Sequence, residues 1–246
     1  MKIRIARYDK NKEPKAVVFE YEVSEDKTLL ENLKEIKEKK DASLTFRCGC
    51  RSGVCGSCAI RVNEVERLAC KTKLKENDLI QPLKNYEVIR DLVVNIDKNK
   101  QLLQNSNSFL EELSSQKVTK EDEKLIDRQS NCILCQSCYS SCPVLEVNKE
   151  FKGPFVLTRV LRYLDDKKEA QKSNKIALIQ ENGIWDCTLC GNCTMVCPEF
   201  IDSKSDILKL RMIATQAGYT DPNFQNFSMD FNSGFDPSGG FNPNGF

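Results

Sequence analysis

The chain has 246 residues, and its 37 basic side chains almost balance its 36 acidic ones. It contains thirteen cysteines and no histidine, so it lacks the commonest zinc ligand and general base while thiolates are abundant. The balanced charge argues against nucleic-acid binding, and the sequence has no run of about 18 apolar residues that could span a membrane. The odd cysteine count and the polar start of the chain argue against a secreted disulfide scaffold. We therefore expect maturation in a reducing cytoplasm.

The first part of the chain has the pattern of a small mixed sheet crossed by one helix. The stretches "KIRIARY" and "AVVFEYEV" predict a strand hairpin, and "SLTF", "AIRV" and "LIQPL" predict further short strands. Between Thr28 and Lys39 the apolar period becomes helical. The apolar stripe of that helix consists of Leu29, Leu30, Leu33 and Ile36. These patterns predict an α+β domain over residues 1–97.

The next part of the chain has a helical pattern. "GPFVLTRVLRYLDD" places Pro154 near a first helical position, which suits proline because the missing N–H has no partner there. "SDILKLRMIATQAG" predicts a helix with Ser205 as its N-cap and Gly218 at its end. Together they predict a second, helical domain over residues 98–217.

The last segment, residues 218–246, is rich in Phe, Asn and Gly and is expected to be disordered when alone. An alternative is that the segment becomes helical on a partner, because its phenylalanines recur at three- and four-residue steps. These are Phe224, Phe227, Phe231 and Phe235.

The first cysteine group has the spacing C-x4-C-x2-C with a distant fourth member, which is typical of a plant-type 2Fe-2S cluster. The predicted ligands are Cys50, Cys55, Cys58 and Cys70. Gly49, Gly53 and Gly56 allow the loop to turn tightly around a small cluster. A zinc loop is the alternative. Cys48 fits no ligand position in this pattern.

Two further runs share the spacing C-x2-C-x2-C-x3-C-P. In such a run three thiolates hold one 4Fe-4S cluster, and the fourth reaches the other cluster. The crossing predicts a first 4Fe-4S cluster held by Cys132, Cys135, Cys138 and Cys197. It predicts a second one held by Cys142, Cys187, Cys190 and Cys193.

The order of the three motifs resembles the iron-sulfur subunit of the succinate dehydrogenase and fumarate reductase family over about residues 2–217. The stretches that carry this resemblance are "CRSGVCGSCAIRVN", "RLACKT", "YEVIRDLVV", "CILCQSC" and "GPFVLTRVLRYLDD". It implies a plant-type ferredoxin β-grasp domain followed by a bacterial-type two-cluster ferredoxin domain.

In that family this subunit holds no catalytic residue. It carries electrons between the FAD of a partner flavoprotein, where succinate and fumarate interconvert, and a membrane-associated partner that is linked to the quinone pool. The implied order is flavin, 2Fe-2S, first 4Fe-4S, second cluster. On this resemblance the chain is a subunit of a succinate:quinone oxidoreductase or fumarate reductase complex. We expect it to lie peripherally on the cytoplasmic face of the inner or cytoplasmic membrane through its partners.

Two departures from the family pattern concern the second cluster. The family has an apolar residue where Cys190 stands, and so holds a 3Fe-4S cluster there. The extra thiolate predicts 4Fe-4S, and the alternative is that Cys190 is an unligated neighbour of 3Fe-4S. Many family members have tryptophans a few residues after the first proline and a histidine just after the cysteine that matches Cys187, and these help to form a quinone pocket. This chain has no such tryptophan, and Thr188 stands in the place of the histidine. Both departures resemble the E-type branch, including methylmenaquinol:fumarate reductases, whose membrane-associated partner is itself cysteine-rich.

Two other functions stay open from the sequence alone. The first is an iron-sulfur subunit of another flavoprotein oxidoreductase, such as a thiol:fumarate reductase or a heterodisulfide-type system. The second is a structural zinc protein, which metal and sulfide analysis separates from the rest.

Overall fold

The computed structural model describes residues 1–9, 11–12 and 16–222. The fold is α+β, with a sheet in the first half of the chain and helices in the second. The strands are β1 (Lys2–Tyr8), β2 (Ala16–Glu22), β3 (Ala59–Val62), β4 (Val65–Leu68), β5 (Leu79–Gln81), β6 (Val88–Arg90) and β7 (Val93–Val94). The helices are α1 (Leu29–Lys39), α2 (Asp97–Asn105), α3 (Lys120–Ser130), α4 (Ser137–Ser140), α5 (Val144–Val147), α6 (Pro154–Asp165), α7 (Lys172–Leu178), α8 (Asn192–Met195) and α9 (Ser203–Gln216), with an irregular turn at Gln180–Ile184.

The first half is a five-stranded mixed sheet in the order β2-β1-β5-β3-β4, crossed by α1. Strands β1 and β5 pair in parallel, and the other neighbours are antiparallel. The predicted hairpin of β1 and β2 is confirmed. Thr28 caps α1 in a capping box with Glu31, and the predicted leucine and isoleucine stripe is buried beside Ile3 and Ile5. This is the expected β-grasp arrangement.

The expected strand at "SLTF" is wrong, because residues 41–50 form an irregular connection. Its backbone is satisfied elsewhere: the Thr45 N–H donates to Asp91 Oδ2 at 2.8 Å, and the Leu92 N–H donates to the Thr45 carbonyl at 3.2 Å. The short pair of β6 and β7 flanks Asp91 and was not predicted. The carboxylate of Asp91 thus accepts the Thr45 N–H that a neighbouring strand would accept if this segment were a strand.

The second core is built mainly from α6 and α9. Pro154 begins α6, as expected, and eight residues of this helix are buried. Helix α9 begins at Ser203, two residues before the predicted cap. Asp202 is the N-cap, and its carboxylate accepts the N–H of Ser205 at 3.1 Å. Ser205 is therefore the residue that is capped and not the cap.

The two apolar cores occupy residues 3–94 and residues 139–214. They are consistent with two domains, and the boundaries at residues 97 and 217 stay a prediction. The expectation for the phenylalanine-rich tail concerns mostly residues 223–246, which lie outside the described part of the chain. Among the described helices, none has both the length and the apolar character needed to cross a bilayer.

Candidate iron-sulfur sites

The loop before β3 carries three of the four thiols predicted to hold the 2Fe-2S cluster. Its backbone turns toward the sulfurs: the Cys50 N–H donates to Cys55 Sγ at 3.3 Å, and the Ser52 N–H donates to Cys50 Sγ at 3.4 Å. The Ser52 hydroxyl, its N–H, the Cys55 thiol and the Val54 N–H together lower the pKa of Cys50 to about 6. The loop therefore stabilises an anionic sulfur at this position.

The other two thiols of this set lie deeper. Cys58 and Cys70 are buried, whereas Cys50 and Cys55 are exposed. Burial raises the pKa of Cys58 to about 11, and the neighbouring thiols of Cys70 and Cys55 add to the rise. The four thiols thus form one group with a buried side and an open side. Cys48 is exposed beside this loop, and its lack of a ligand role stays a prediction.

Glycine at position 49 is required by close packing. A side chain there would bring its Cβ within 2.7 Å of Cys55 Sγ. Gly49 therefore leaves room for the sulfur that the loop folds around.

The first 4Fe-4S set comes together from both cysteine runs. Its four thiols, those of Cys132, Cys135, Cys138 and Cys197, line a single, mainly apolar cavity. Burial raises the pKa of Cys138 well above its usual range, and the thiols of Cys135, Cys132, Cys193 and Cys197 raise it further. The structure thus brings Cys197 of the second run beside three thiols of the first run, and the assignment of these four as cluster ligands stays a prediction.

The thiols predicted to hold the second 4Fe-4S cluster also come from both runs and lie near one another. Burial raises the pKa of Cys142 to about 11, with added repulsion from Cys187 and Cys190. Burial also raises the pKa of Cys193 to about 12, with added repulsion from Cys187 and Cys142. Three thiols of this set are buried or partly buried, and Cys190 is exposed.

The two runs have matching backbones, which bears on Cys190. Leu134 and Gln136 flank Cys135 in the left-handed region, and Leu189 and Gly191 flank Cys190 in the same way. A short helix follows each pair, α4 in the first run and α8 in the second. The N–H of Leu189 donates to Cys187 Sγ at 3.4 Å, and the N–H of Leu134 hydrogen-bonds Cys132 in the same position. Cys190 therefore occupies the position in its run that Cys135 occupies in the other.

The 2Fe-2S loop touches the first 4Fe-4S loop. Gly56 has a φ of +68°, and a Cβ on it would lie 2.8 Å from Cys135 Cα and from the Ile133 carbonyl oxygen. Only glycine permits this approach.

The donor set fits three iron-sulfur clusters. All thirteen cysteines are free thiols, and three groups of four account for all except Cys48. Backbone N–H groups reach sulfurs in each group, which suits cluster thiolates because such bonds stabilise the reduced charge. Within residues 1–9, 11–12 and 16–222, no three Cys, Asp or Glu side chains close on a single metal-ion position.

Arg211 is a residue near the second set that the sequence did not single out. Its guanidinium donates to the carbonyls of Ile184, Trp185 and Cys187, at 2.8, 3.3 and 2.6 Å. Although burial raises the pKa of Cys187, the Leu189 N–H and the Arg211 charge lower it. No signal in the sequence separates Arg211 from Lys204 and Lys209 of the same helix.

Comparison with known proteins gives the family. A family described as "2Fe-2S iron-sulfur cluster binding domain" matches residues 2–101, and one described as "4Fe-4S dicluster domain" matches residues 128–201. The fumarate reductase iron-sulfur subunit of Haemophilus influenzae is 32% identical over 230 residues, which are 84% of this chain and 90% of that protein. The chain belongs to the iron-sulfur subunits of the fumarate reductase and succinate dehydrogenase family. It is thus an electron-transfer subunit, and the predicted 2Fe-2S and 4Fe-4S cofactors are confirmed at the level of the two matched domains.

Other relatives differ in length. The 8-methylmenaquinol:fumarate reductase iron-sulfur subunit of Wolinella succinogenes is 35% identical, over 89% of this chain and 74% of that protein. An iron-sulfur protein of Methanocaldococcus jannaschii is 36% identical over 89% of this chain. It is longer, and the chain spans 45% of its length. A chain of the Mycobacterium smegmatis Sdh1 complex in the apo form has the same fold, with a TM-score of 0.77 over 90% of this chain and 98% of that one, at 22% identity.

Proposed function

We propose that this subunit carries electrons between the FAD of a succinate dehydrogenase or fumarate reductase flavoprotein and a membrane-associated, quinone-linked partner. The proposed ligand sets are those described above, with Cys190 completing a second 4Fe-4S cluster. When bound, the three clusters supply one-electron carriers. The protein's own part is to hold them in a fixed order, keep water from the buried thiols and leave an exposed thiol at each end.

One observation carries this proposal: the three thiol groups form a contiguous series with two open ends. Cys50 and Cys55 are exposed at the first end, and Cys190 is exposed at the last. Between them, Gly56 lies against Cys135, and the thiol of Cys138 is influenced by that of Cys193 in the third group. This order supports the route flavin, 2Fe-2S, first 4Fe-4S, second 4Fe-4S.

The exposed end of the 2Fe-2S loop suits a protein partner. Val54 is 66% exposed on this loop, and it lines a groove of about 540 Å³ together with Lys71 and Phe200. Phe200 is 80% exposed. Exposed apolar side chains around a redox loop indicate a surface that a partner covers. We propose the FAD-containing flavoprotein as that partner.

The other end suits the E-type partner. Val147 is almost fully exposed at the end of α5, where the family pattern has a tryptophan nearby, and Thr188 is exposed beside Cys187. No histidine occurs in the chain, so the usual quinone pocket lacks its side chains here. We propose that a cysteine-rich, membrane-associated protein receives electrons above Cys190 and links the complex to the quinone pool on the cytoplasmic face of the membrane.

The test is anaerobic purification of a tagged chain from its native membranes, followed by EPR before and after addition of succinate or fumarate. We expect bound FAD and clusters whose oxidation state responds to these two compounds. Clusters that respond only to thiols would favour the thiol-linked alternative, and a chain free of flavin would contradict the proposal.

A matched pair of variants locates the flavoprotein surface. Val54→Asp places a charge on the 2Fe-2S loop and is expected to lower bound FAD without lowering the iron content. Val18→Asp changes another exposed valine, 53% exposed, on the opposite edge strand β2, and is expected to leave the bound FAD and the iron content unchanged. Equal loss of FAD in the two variants would place the flavoprotein elsewhere.

A further inference from the structure

Asn85 joins the first core to the cysteine run of the second. Its side-chain amide nitrogen lies 3.1 Å from the Tyr139 carbonyl, 3.1 Å from the Ser140 carbonyl and 3.3 Å from the Cys142 carbonyl. The carbonyls of Tyr139 and Ser140 lie at the end of α4, where the following turn of helix that would donate N–H groups to them is missing, and the Cys142 carbonyl lies two residues further on. Asn85 thus caps the carboxyl end of α4 from another part of the molecule.

The neighbours of Asn85 hold the same short helix. The N–H of Lys84 donates to the Ser140 hydroxyl at 2.8 Å, and that hydroxyl donates to the buried Glu66 carboxylate at 2.7 Å. At the other end of α4, the Tyr86 hydroxyl lies 2.9 Å from Oε1 of Gln136, the left-handed N-cap residue. Lys84, Asn85 and Tyr86 therefore bracket α4 at both ends.

The equivalent helix of the second run is held differently. In α8, the Thr194 hydroxyl donates to Asp202 at 2.8 Å, and the Lys204 N–H donates to Thr194 at 3.3 Å. These contacts come from the same half of the chain. The bracket around α4, in contrast, comes from the segment between β5 and β6.

We propose that Asn85 is a positioning residue for the second 4Fe-4S cluster. Helix α4, whose end Asn85 caps, leads directly to Cys142, which is assigned to that cluster. Because Asn85 binds the Cys142 carbonyl itself, it fixes the direction in which that thiol leaves the backbone. The β-grasp half therefore acts on a cluster to which it contributes no thiol. This inference rests on the ligand sets in the proposed function.

The test compares Asn85→Asp and Asn85→Gly in the full chain. Aspartate keeps the shape but presents a carboxylate to three carbonyls, and glycine removes the amide while tolerating the φ of +64° at this position. We expect the second 4Fe-4S cluster to be lost to an iron chelator roughly tenfold to hundredfold faster, as for other residues that orient metal ligands. Its EPR signal and midpoint potential should shift, while the 2Fe-2S signal stays unchanged.

Asn77 provides the control. It also has a positive φ, of +65°, and its side chain is exposed. Asn77→Asp and Asn77→Gly should lose the second 4Fe-4S cluster to the chelator at the wild-type rate. If Asn85→Asp does not accumulate as folded protein, Asn85→Gly decides alone, because glycine suits the backbone here.

A further variant separates this inference from the ligand assignment. Cys142→Ser should abolish the second 4Fe-4S cluster. If that cluster survives, the assignment of Cys142 is wrong. If Cys142→Ser abolishes it, but Asn85→Gly and Asn85→Asp show wild-type chelation rates and potentials, the assignment stands and the role of Asn85 is wrong.

Discussion

Gly56 of the 2Fe-2S loop packs directly against Cys135 of the first 4Fe-4S loop, with no side chain between the two backbones. A Cβ at position 56 would lie 2.8 Å from both Cα and Cβ of Cys135. The two loops are therefore as close as their backbones allow, and any side chain at position 56 would disturb this contact.

Gly56→Ala is expected to push the two loops apart and to slow electron transfer between the 2Fe-2S and first 4Fe-4S clusters. The left-handed backbone alone costs an alanine about 1–2 kcal/mol, and the contact with Cys135 adds to this. Rapid-freeze EPR after reduction through the flavoprotein measures the rate. The control is Gly218→Ala, which has a similar φ of +89° but no atom within 4 Å. Equal rates in both variants would remove the contact from the route.

Arg211→Gln is expected to lower the midpoint potential of the second cluster. The positive charge beside Cys187 favours the more negative, reduced state, and its removal takes that support away. We expect a shift of tens of millivolts, since about 59 mV corresponds to about 1.4 kcal/mol for one electron. Potentiometric EPR titration measures the shift. Lys2→Gln removes an exposed charge on β1 and should leave the potential unchanged. An unaltered potential in Arg211→Gln would contradict this role.

Lys175→Met is expected to destabilise the helical half strongly. Lys175 is fully buried, and its amino group lies 3.1 Å from Glu169 and 3.0 Å from Glu111. Removing it leaves the buried Glu169 carboxylate without its cation, which costs about 3–5 kcal/mol. Thermal unfolding of the anaerobic protein measures the effect, with Lys117→Met at an exposed position as control. A shift no larger than that of the control would show that backbone N–H groups suffice for Glu169.

Asp206→Asn is expected to alter the pH dependence of stability. Burial raises the pKa of Asp206, although Gln129 and Thr158 donate hydrogen bonds to it. The folded protein thus favours the neutral form, so stability falls as pH rises from the unfolded toward the folded pKa. The asparagine side chain stays neutral at every pH. Its amide N–H can also donate to the buried Oε1 of Gln129, which has no hydrogen-bond partner in the wild type.

The measurement is the unfolding temperature at pH 4 and pH 7. At pH 7 we expect the free energy of unfolding of the variant to equal that of the wild type or to exceed it by up to about 1 kcal/mol. At pH 4 this difference should disappear. Asp127→Asn, at an exposed position of α3, should show no such dependence of its stability difference on pH. An advantage that grows toward acid pH would reverse the assigned direction.

The features set by local spacing were predictable from the sequence. The C-x2-C-x2-C-x3-C-P pattern specifies which thiols a short loop can present together, and Cys132, Cys135 and Cys138 line one cavity. Their assignment as cluster ligands stays a prediction. The helix at Leu29–Lys39 was equally predictable, because its apolar period and its capping box lie within one segment.

The features set by distant partners were not predictable. "SLTF" has strand-forming residues, but its Thr45 N–H is taken by Asp91, which lies 46 residues away. Asn85 was not singled out from the sequence, since its partners at residues 139–142 are defined only by the fold. The cap of α9 was misplaced because Asp202 and Ser205 are both good N-cap residues, and sequence alone does not rank them.

Low-temperature EPR with iron and sulfide analysis of the anaerobically purified protein, beside Cys190→Ser and the control Cys48→Ser, tests the proposed cluster ligands. The proposed ligand sets predict about ten iron atoms per chain, no 3Fe-4S signal after oxidation and two interacting 4Fe-4S signals on reduction. Cys190→Ser should gain an oxidised 3Fe-4S signal, and Cys48→Ser should not. About nine iron atoms and a strong oxidised 3Fe-4S signal in the wild-type protein would show that Cys190 is not a ligand.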